Sequence, residues 1–377
     1  MRLRSIVVSL VLPGVLAGCS NSPINNVTVT PPPTPVPSSV VGTQGSAYTI
    51  SVFAKAPGTL QPDDMVQLGR SLFVIYQDPN VNPDGTLPPG VTSAQAEVLE
   101  YDEKGNVLQT FKVPGHPDGM VVYNSNTVWV SSNEDANPVL TAINTTSNTL
   151  QSYTCDTAPL PHGGGLDDMK LINGVVYASG SAPTTTSSPS PNLAPYSTDA
   201  SGATAEYGVN IGPVLYTVAL NSDGKTFHPT PVLMSSMSTT SIIGNTPITL
   251  NMTDADSSMI DPAGDLVIDS QQDSELVFVK NLGTATPSTS VLNVTLYGNP
   301  WPLDDTRWSP ASGSSFMLVS DTPAGLIYLI NAANGFTPNT AFSAGQGTVL
   351  QTNTTTGVMT PIYVGMNNPH GLIFVTE

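Results

Sequence analysis

The 377-residue sequence predicts an all-β fold of the propeller class. Three observations carry that expectation. Short alternating apolar runs are separated by turn residues. A four-residue motif recurs about every fifty residues. The composition, with 35 prolines and 32 glycines, includes no convincing amphipathic helical stretch.

The runs come first. Ser71-Leu72-Phe73-Val74-Ile75-Tyr76, Val128-Trp129-Val130, Leu215-Tyr216-Thr217-Val218, Leu276-Val277-Phe278-Val279 and Leu326-Ile327-Tyr328-Leu329-Ile330 are β-branched and aromatic, and Gly, Asn, Asp or Pro bounds each of them. Glu103-Lys104-Gly105-Asn106, Ser222-Asp223-Gly224 and Ala333-Asn334-Gly335 read as hairpin turns, because Gly and Asn tolerate positive φ.

The motif is the more specific signal. It reads Pro62-Asp63-Asp64-Met65, Pro117-Asp118-Gly119-Met120, Leu166-Asp167-Asp168-Met169, Asp256-Ser257-Ser258-Met259, Leu303-Asp304-Asp305-Thr306 and Pro369-His370-Gly371-Leu372. Its third residue falls at 64, 119, 168, 258, 305 and 371, so the intervals are 55, 49, 90, 47 and 66. The interval of 90 contains a Ser/Thr/Pro-rich stretch at 182–206, expected to be a surface loop inside the domain, and the interval of 66 contains an extra hairpin around 326–345. A basal spacing near fifty, filled by four short antiparallel strands, is the signature of a propeller blade. The second repeat shows all four: Met120–Tyr123 innermost, then Thr127–Val130, Val139–Ile143 and Thr149–Tyr153. Six copies predict six blades, and the long last interval leaves room for a seventh. The final motif starts nine residues before the chain end, so an N-terminal strand, Tyr48–Phe53, is expected to close the ring. The recurring Met65, Met120, Met169 and Met259 are expected to pack between blades.

The N-terminus carries an address. Met1-Arg2-Leu3-Arg4 precedes an apolar run from Ile6 to Leu16, a charged n-region and a short h-region. The run falls short of the roughly 20 residues that a spanning helix needs. It ends Leu16-Ala17-Gly18-Cys19, which resembles the bacterial lipobox. That resemblance implies a signal peptide over 1–18, acylation (palmitate) of Cys19, and a chain held to the membrane by its lipid. Ser20 follows the cysteine where an aspartate would argue for retention, so the resemblance implies the outer membrane of the cell envelope. Residues 19–46, with Thr30-Pro31-Pro32-Pro33-Thr34-Pro35-Val36-Pro37, read as an extended tether, and the propeller is expected over 47–377. The one other cysteine, Cys155, has no partner for a disulfide and reads as a strand filler.

Composition excludes some functions. Acids outnumber Lys and Arg 28 to 10, for a formal net charge of −18. Such a surface repels nucleic acid, which clustered Lys and Arg would be needed to bind. No Gly-x-Ser-x-Gly elbow, phosphate-cradling glycine loop or Cys-x-x-Cys occurs. With strands and Pro-[His/Asp]-Gly-[Met/Leu] starts in this pattern, the chain resembles the six-bladed propellers of NHL-repeat and gluconolactonase-like, calcium-dependent lactonase families.

In such a propeller the inner-strand starts face a central tunnel. The candidate ring is Asp63, Asp64, Asp118, Asp167, Asp168, Asp304 and Asp305, joined by His370. Converging carboxylates repel one another unless a cation intervenes, and calcium takes six to eight oxygen ligands. An aspartate at a strand start also caps the preceding turn, and both readings stand for each residue. The lactonase resemblance implies an acid–asparagine set, and the asparagines have no match at these positions. His116, His162 and His370 lie at or near motif copies and are candidate catalytic groups at one tunnel mouth. Streptogramin-lyase-like propellers pair histidines with a glutamate, but Glu134 has no histidine beside it in sequence. Arg70 and Arg307 are too few for a quinone-dependent dehydrogenase. The expected function is therefore a membrane-anchored binding module for a protein or glycan, not an enzyme. The alternative is a calcium-dependent hydrolase of lactonase type.

Overall fold

The computed structural model describes residues 47–158, 160–181, 193–194, 209–210, 212–284, 286–312 and 315–376. The expected signal peptide, the lipidation at Cys19 and the tether lie outside the described residues. So does the 182–206 stretch, apart from Leu193–Ala194, which pairs with Val209–Asn210. No helix occurs among the described residues. The fold is an all-β propeller.

Its strands form six antiparallel ladders of four, written here from the inner strand outward. Ladder one is Gln61–Leu68, Ser71–Gln77, Ala96–Tyr101 and Val107–Val113. Ladder two is Pro117–Asn124, Thr127–Ser132, Val139–Asn144 and Thr149–Cys155. Ladder three is Met169–Ile172, Val175–Ser179, Pro213–Leu220 and Thr226–Met234. Ladder four is Ala255–Ile260, Leu266–Ser270, Glu275–Lys280 and Ser288–Asn293. Ladder five is Asp305–Trp308, Ala341–Gly345, Thr348–Thr352 and Val358–Val364. Ladder six is Pro369–Thr376, Ser315–Asp321, Leu326–Ala332 and Tyr48–Lys55. The six inner strands touch one another in cyclic order, with Pro369–Thr376 against Gln61–Leu68.

The core lies between ladders. Side chains alternate across a strand, so each strand feeds two interfaces. Leu72, Val74 and Tyr76 pack with Leu318, Ile327 and Val375 of ladder six. Phe73 and Ile75, on the other face, pack with Met120, Val128 and Val130 of ladder two. Both faces are covered, which is why Leu72 through Gln77 are all buried. Met65, Met120 and Met169 are buried in these interfaces as packing residues, and Met259 packs against the next one. Cys155 closes the last strand of ladder two, half-buried, with Sγ 3.6 Å from Thr157 Oγ1.

The long final interval has a specific cause. The hairpin Ser315–Ala332 leaves ladder five after its inner strand and supplies the second and third strands of ladder six. The chain then returns to ladder five at Ala341–Gly345. The hairpin expected around 326–345 is therefore corrected. Leu326–Ala332 pairs back with Ser315–Asp321, and Ala341–Gly345 belongs to a different ladder.

In four of its six copies the motif forms a β-bulge. Register shifts between Pro62 and Met65, Pro117 and Met120, and Ala255 and Ser258 leave two residues opposite one. The partner of Pro369–Thr376 shifts in the same way between Val319 and Asp321. A bulge re-aims the side chains it carries. The pairing also corrects the fourth copy, where Asp256-Ser257 is the bulged pair and Ser258 takes the place held by methionine elsewhere. Gly119 and Gly371 sit where a neighbouring strand passes closely: a Cβ on either would run into the backbone of Asp167–Asp168 or Asp63–Asp64.

Candidate functional site

The six motif copies line one cavity of about 240 Å³, counted with the solvent at its mouth. Two tiers of side chains face it.

The third motif residues form the inner tier, reading around the ring Asp64, Gly119, Asp168, Ser257, Asp305, Gly371. Aspartates thus come from alternate ladders, and each reaches the next inner strand. Asp64 Oδ2 accepts from the Met120 N–H at 2.8 Å. Asp168 Oδ2 accepts from the N–H of Ser258 at 2.8 Å and from its hydroxyl at 3.1 Å. Asp305 Oδ2 accepts from the Leu372 N–H at 2.7 Å. At their centre lies Arg307, itself 5% exposed. Its Nη1 donates to Asp305 Oδ1 and to the Ser258 carbonyl at 2.9 Å. Its Nη2 stands 3.5 Å from Asp64 Oδ1 and 4.0 Å from Asp168 Oδ2. Lys170 Nζ adds a contact to Asp168 Oδ2 at 2.5 Å. Burial raises Asp305 to about 7 and Asp64 to about 6, against the pull of Arg307 on both. This tier carries its own cations.

The second motif residues form the outer tier: Asp63, Asp118, Asp167, Asp256, Asp304 and His370. Donors stand between most neighbours. Gln77 Nε2 donates to Asp63 and, at 3.2 Å, to Asp118. Gln271 Nε2 donates to Asp256 at 2.8 Å and Asp304 at 3.0 Å. His370 Nδ1 lies 3.4 Å from both Asp63 and Asp304. Between Asp118 and Asp167 the intervening group is another acid, Glu134. One carboxylate oxygen from each of these three lies within 4.8 Å of the others. Asp167, 3% exposed, has an Oδ2 with no partner.

Electrostatics follow this division. Burial raises Asp63 and Asp304 to about 7, with donors or His370 pulling the other way. Asp118, Glu134, Asp167 and Asp256 are pushed well above the usual carboxylate range, first by burial and then by a neighbouring acid: Asp63 for Asp118, Asp118 for Glu134 and Asp167, and Asp304 for Asp256. The triad is a set of hard oxygen donors converging on one point, a donor set that fits a calcium-class ion.

The histidines separate. His370 belongs to the outer tier. His116 is half-buried two residues before Asp118; burial lowers its pKa, and its Nδ1 has no partner. His162 is corrected as a tunnel group, being fully buried, with Nδ1 2.6 Å from the Tyr216 hydroxyl and Nε2 3.1 Å from the Gly165 carbonyl. Burial drops it to about 4, so it is a neutral packing residue. Gly180 and Gly212 crowd against its ring and backbone, which fixes it away from the cavity.

Sequence reasoning assigned no role to five residues of the site. Asp256 was displaced by aligning the fourth motif on Met259. Glu134 sits in a loop after the second strand of ladder two. Gln77 ends the second strand of ladder one and Gln271 follows that of ladder four, neither within a motif. Arg307 was set aside, although it stands two residues after Asp305, as Lys170 does after Asp168. That i, i+2 spacing puts acid and base on one strand face.

No protein-family model matches the chain, and no match is found among curated proteins. Solved structures similar to it include a periplasmic gluconolactonase from Pseudomonas aeruginosa (11% identity, TM-score 0.43, 84% of this chain and 88% of that one). A streptogramin B lyase is similar at 11% identity and TM-score 0.41, over 87% and 95%. A protein from Lactobacillus plantarum is similar at 10% identity and TM-score 0.43, over 83% and 88%.

Two outcomes are expected. Arg307→Met removes the cation from three buried carboxylates and lowers unfolding free energy by about 3–5 kcal/mol in urea titration. The second concerns pH in the presence of chelator. Asp63, Asp64, Asp304 and Asp305 hold protons in the fold that the unfolded chain releases near pH 4. Their contribution is complete below that pH and is lost as pH rises through 6 to 7. Unfolding free energy therefore falls between pH 4 and 7, at about 1.4 kcal/mol per pH unit for each proton still held. The turn aspartates Asp78, Asp102, Asp156 and Asp223, held below the usual range by hydrogen bonds to turn backbone and side-chain donors, act below this window. A flat or rising profile from pH 4 to 7 would contradict the assignment.

Proposed function

We propose that this chain is a six-bladed propeller of the cell envelope that binds an oxygen-rich ligand through a calcium-class cation at its tunnel. Asp118, Glu134 and Asp167 hold the ion, and Asp63, Asp256, Asp304 and His370 complete the polar ring around it. Asp64, Asp168 and Asp305 serve the inner tier with Arg307. The observation that carries this reading is the crowding of three acids in one sector of the outer tier: Gln77 reaches Asp118 at 3.2 Å and the Ser181 hydroxyl reaches Glu134 at 3.4 Å, yet the group between Asp118 and Asp167 is a third carboxylate, and Asp167 Oδ2 is buried without a partner. Six ladders with cyclically touching inner strands support the blade count, and the pairing of Tyr48–Lys55 with Leu326–Ala332 supports closure by an N-terminal strand.

When bound, such an ion supplies a Lewis-acid contact for carbonyl, hydroxyl or carboxylate oxygens. The chain's own groups position it and keep the neighbouring acids apart. A second reading is hydrolysis of a lactone or ester, favoured by His116. Its Nδ1 near Asp118 is buried without a partner, and it would take a proton only from a water or substrate hydroxyl admitted to it on binding.

Calcium titration of the chelated protein tests the site. Calcium is expected to raise the unfolding midpoint, by about 2.7 kcal/mol of stability at a hundredfold excess over the dissociation constant. Glu134→Gln and Asp167→Asn should abolish that rise while making the ion-free protein more stable, since each removes a crowded charge. Equal midpoints in chelator and in excess calcium would sink the proposal.

The envelope address rests on Leu16-Ala17-Gly18-Cys19. Expressed in a bacterium fed labelled palmitate, the chain should take up label and fractionate with membranes, and Cys19→Ser should do neither. Labelling that survives Cys19→Ser would remove the anchor.

A further inference from the structure

Glu134 lies on a loop, yet it must meet Asp118 and Asp167 at close range. We infer that Asn133 is the positioning residue that holds it there. The inference rests on the reading of those three acids as a cation site.

Asn133 is 5% exposed and takes φ +72°, a left-handed conformation that asparagine accepts more readily than most residues. It is tied to the segment that leads into Asp118. Its N–H donates to the His116 carbonyl at 2.7 Å, and its Oδ1 accepts from the His116 N–H at 2.9 Å. Its Nδ2 donates to the Asn137 carbonyl at 3.0 Å, which closes the loop on itself.

Glycines leave the space that this amide fills. A Cβ on Gly85 would lie 2.5 Å from the Asn133 side chain, and one on Gly115 would collide with its Oδ1. A Cβ on Gly165 would strike the Asn133 carbonyl and come 2.8 Å from that of Glu134. The Gly165 N–H donates to the Glu134 carbonyl at 2.5 Å, two residues before Asp167. The Asp135 N–H donates to the Pro83 carbonyl at 3.3 Å. Segments leading to two of the three acids, and the long loop of ladder one, therefore converge on residues 133–135. The amide of Asn133 is the side chain that links them. Without it the Glu134 turn keeps its neighbours but loses its register to Asp118.

The test is a calcium titration by calorimetry on the full chain. Asn133→Gly keeps the positive φ and deletes the amide. Calcium affinity should fall at least tenfold. The stabilisation that Glu134→Gln gives the ion-free protein should also shrink when Asn133→Gly is added, because a carboxylate no longer held beside Asp118 and Asp167 relieves little crowding when it is removed. If Asn133→Gly fails to fold, Gly115→Ala pushes a methyl into the same amide and should weaken calcium in the same way. Wild-type affinity in either folded variant would overturn the inference, as would an undiminished stabilisation by Glu134→Gln in the Asn133→Gly chain. A wild-type chain that binds no calcium would overturn the site itself, which is a distinguishable failure.

Discussion

The structure turns on the repulsion among carboxylates brought to one axis. Closing six inner strands into a ring places every motif copy at the same centre, and these copies carry eight aspartates. Buried like charges a few ångströms apart do not all ionise without compensation. The inner tier solves this covalently, with a guanidinium supplied by the chain. Arg307 is planar and multidentate, so one side chain addresses Asp64, Asp168 and Asp305 from different ladders. Each of those aspartates also takes a backbone N–H from the next strand, which makes the charge network part of the ring closure.

The outer tier solves the same problem differently. Amide donors and one histidine bridge most of its acids, and protons held at raised pKa supply much of the rest. Between Asp118 and Asp167 the intervening group is a third acid, Glu134, and Asp167 Oδ2 is buried without a partner. The same repulsion that Arg307 relieves in the inner tier is the reason a cation is proposed for that sector.

Around this polar axis the apolar chemistry is regular. Each strand splits its side chains between two neighbouring ladders, so the hydrophobic clusters lie between ladders. The hairpin Ser315–Ala332 departs from sequential order. It interleaves ladder five with ladder six, and Tyr48–Lys55 completes the latter. Ladders five and six therefore cannot separate without drawing on both ends of the described chain.

Much of this was legible in the sequence, because strand alternation and turn chemistry are local. The propeller class, the four strands of the second repeat and the recurring aspartates follow from periods of two and about fifty. The register of the fourth motif did not, since Met259 imitates the motif's last residue and only strand pairing shows Ser258 in that place. His162 looked like a tunnel residue because it precedes a motif copy, but side-chain direction there depends on glycines from distant turns. Glu134, Gln77, Gln271 and Arg307 carry no motif; their roles come from which strand ends meet at the axis. The sequence by itself determined the fold class, the repeat and an acidic centre, because each is written in residues close together along the chain. Which acids are bridged, which are neutralised by Arg307 and which remain open was decided by the tertiary structure alone, because charge compensation acts through space between groups tens to hundreds of residues apart.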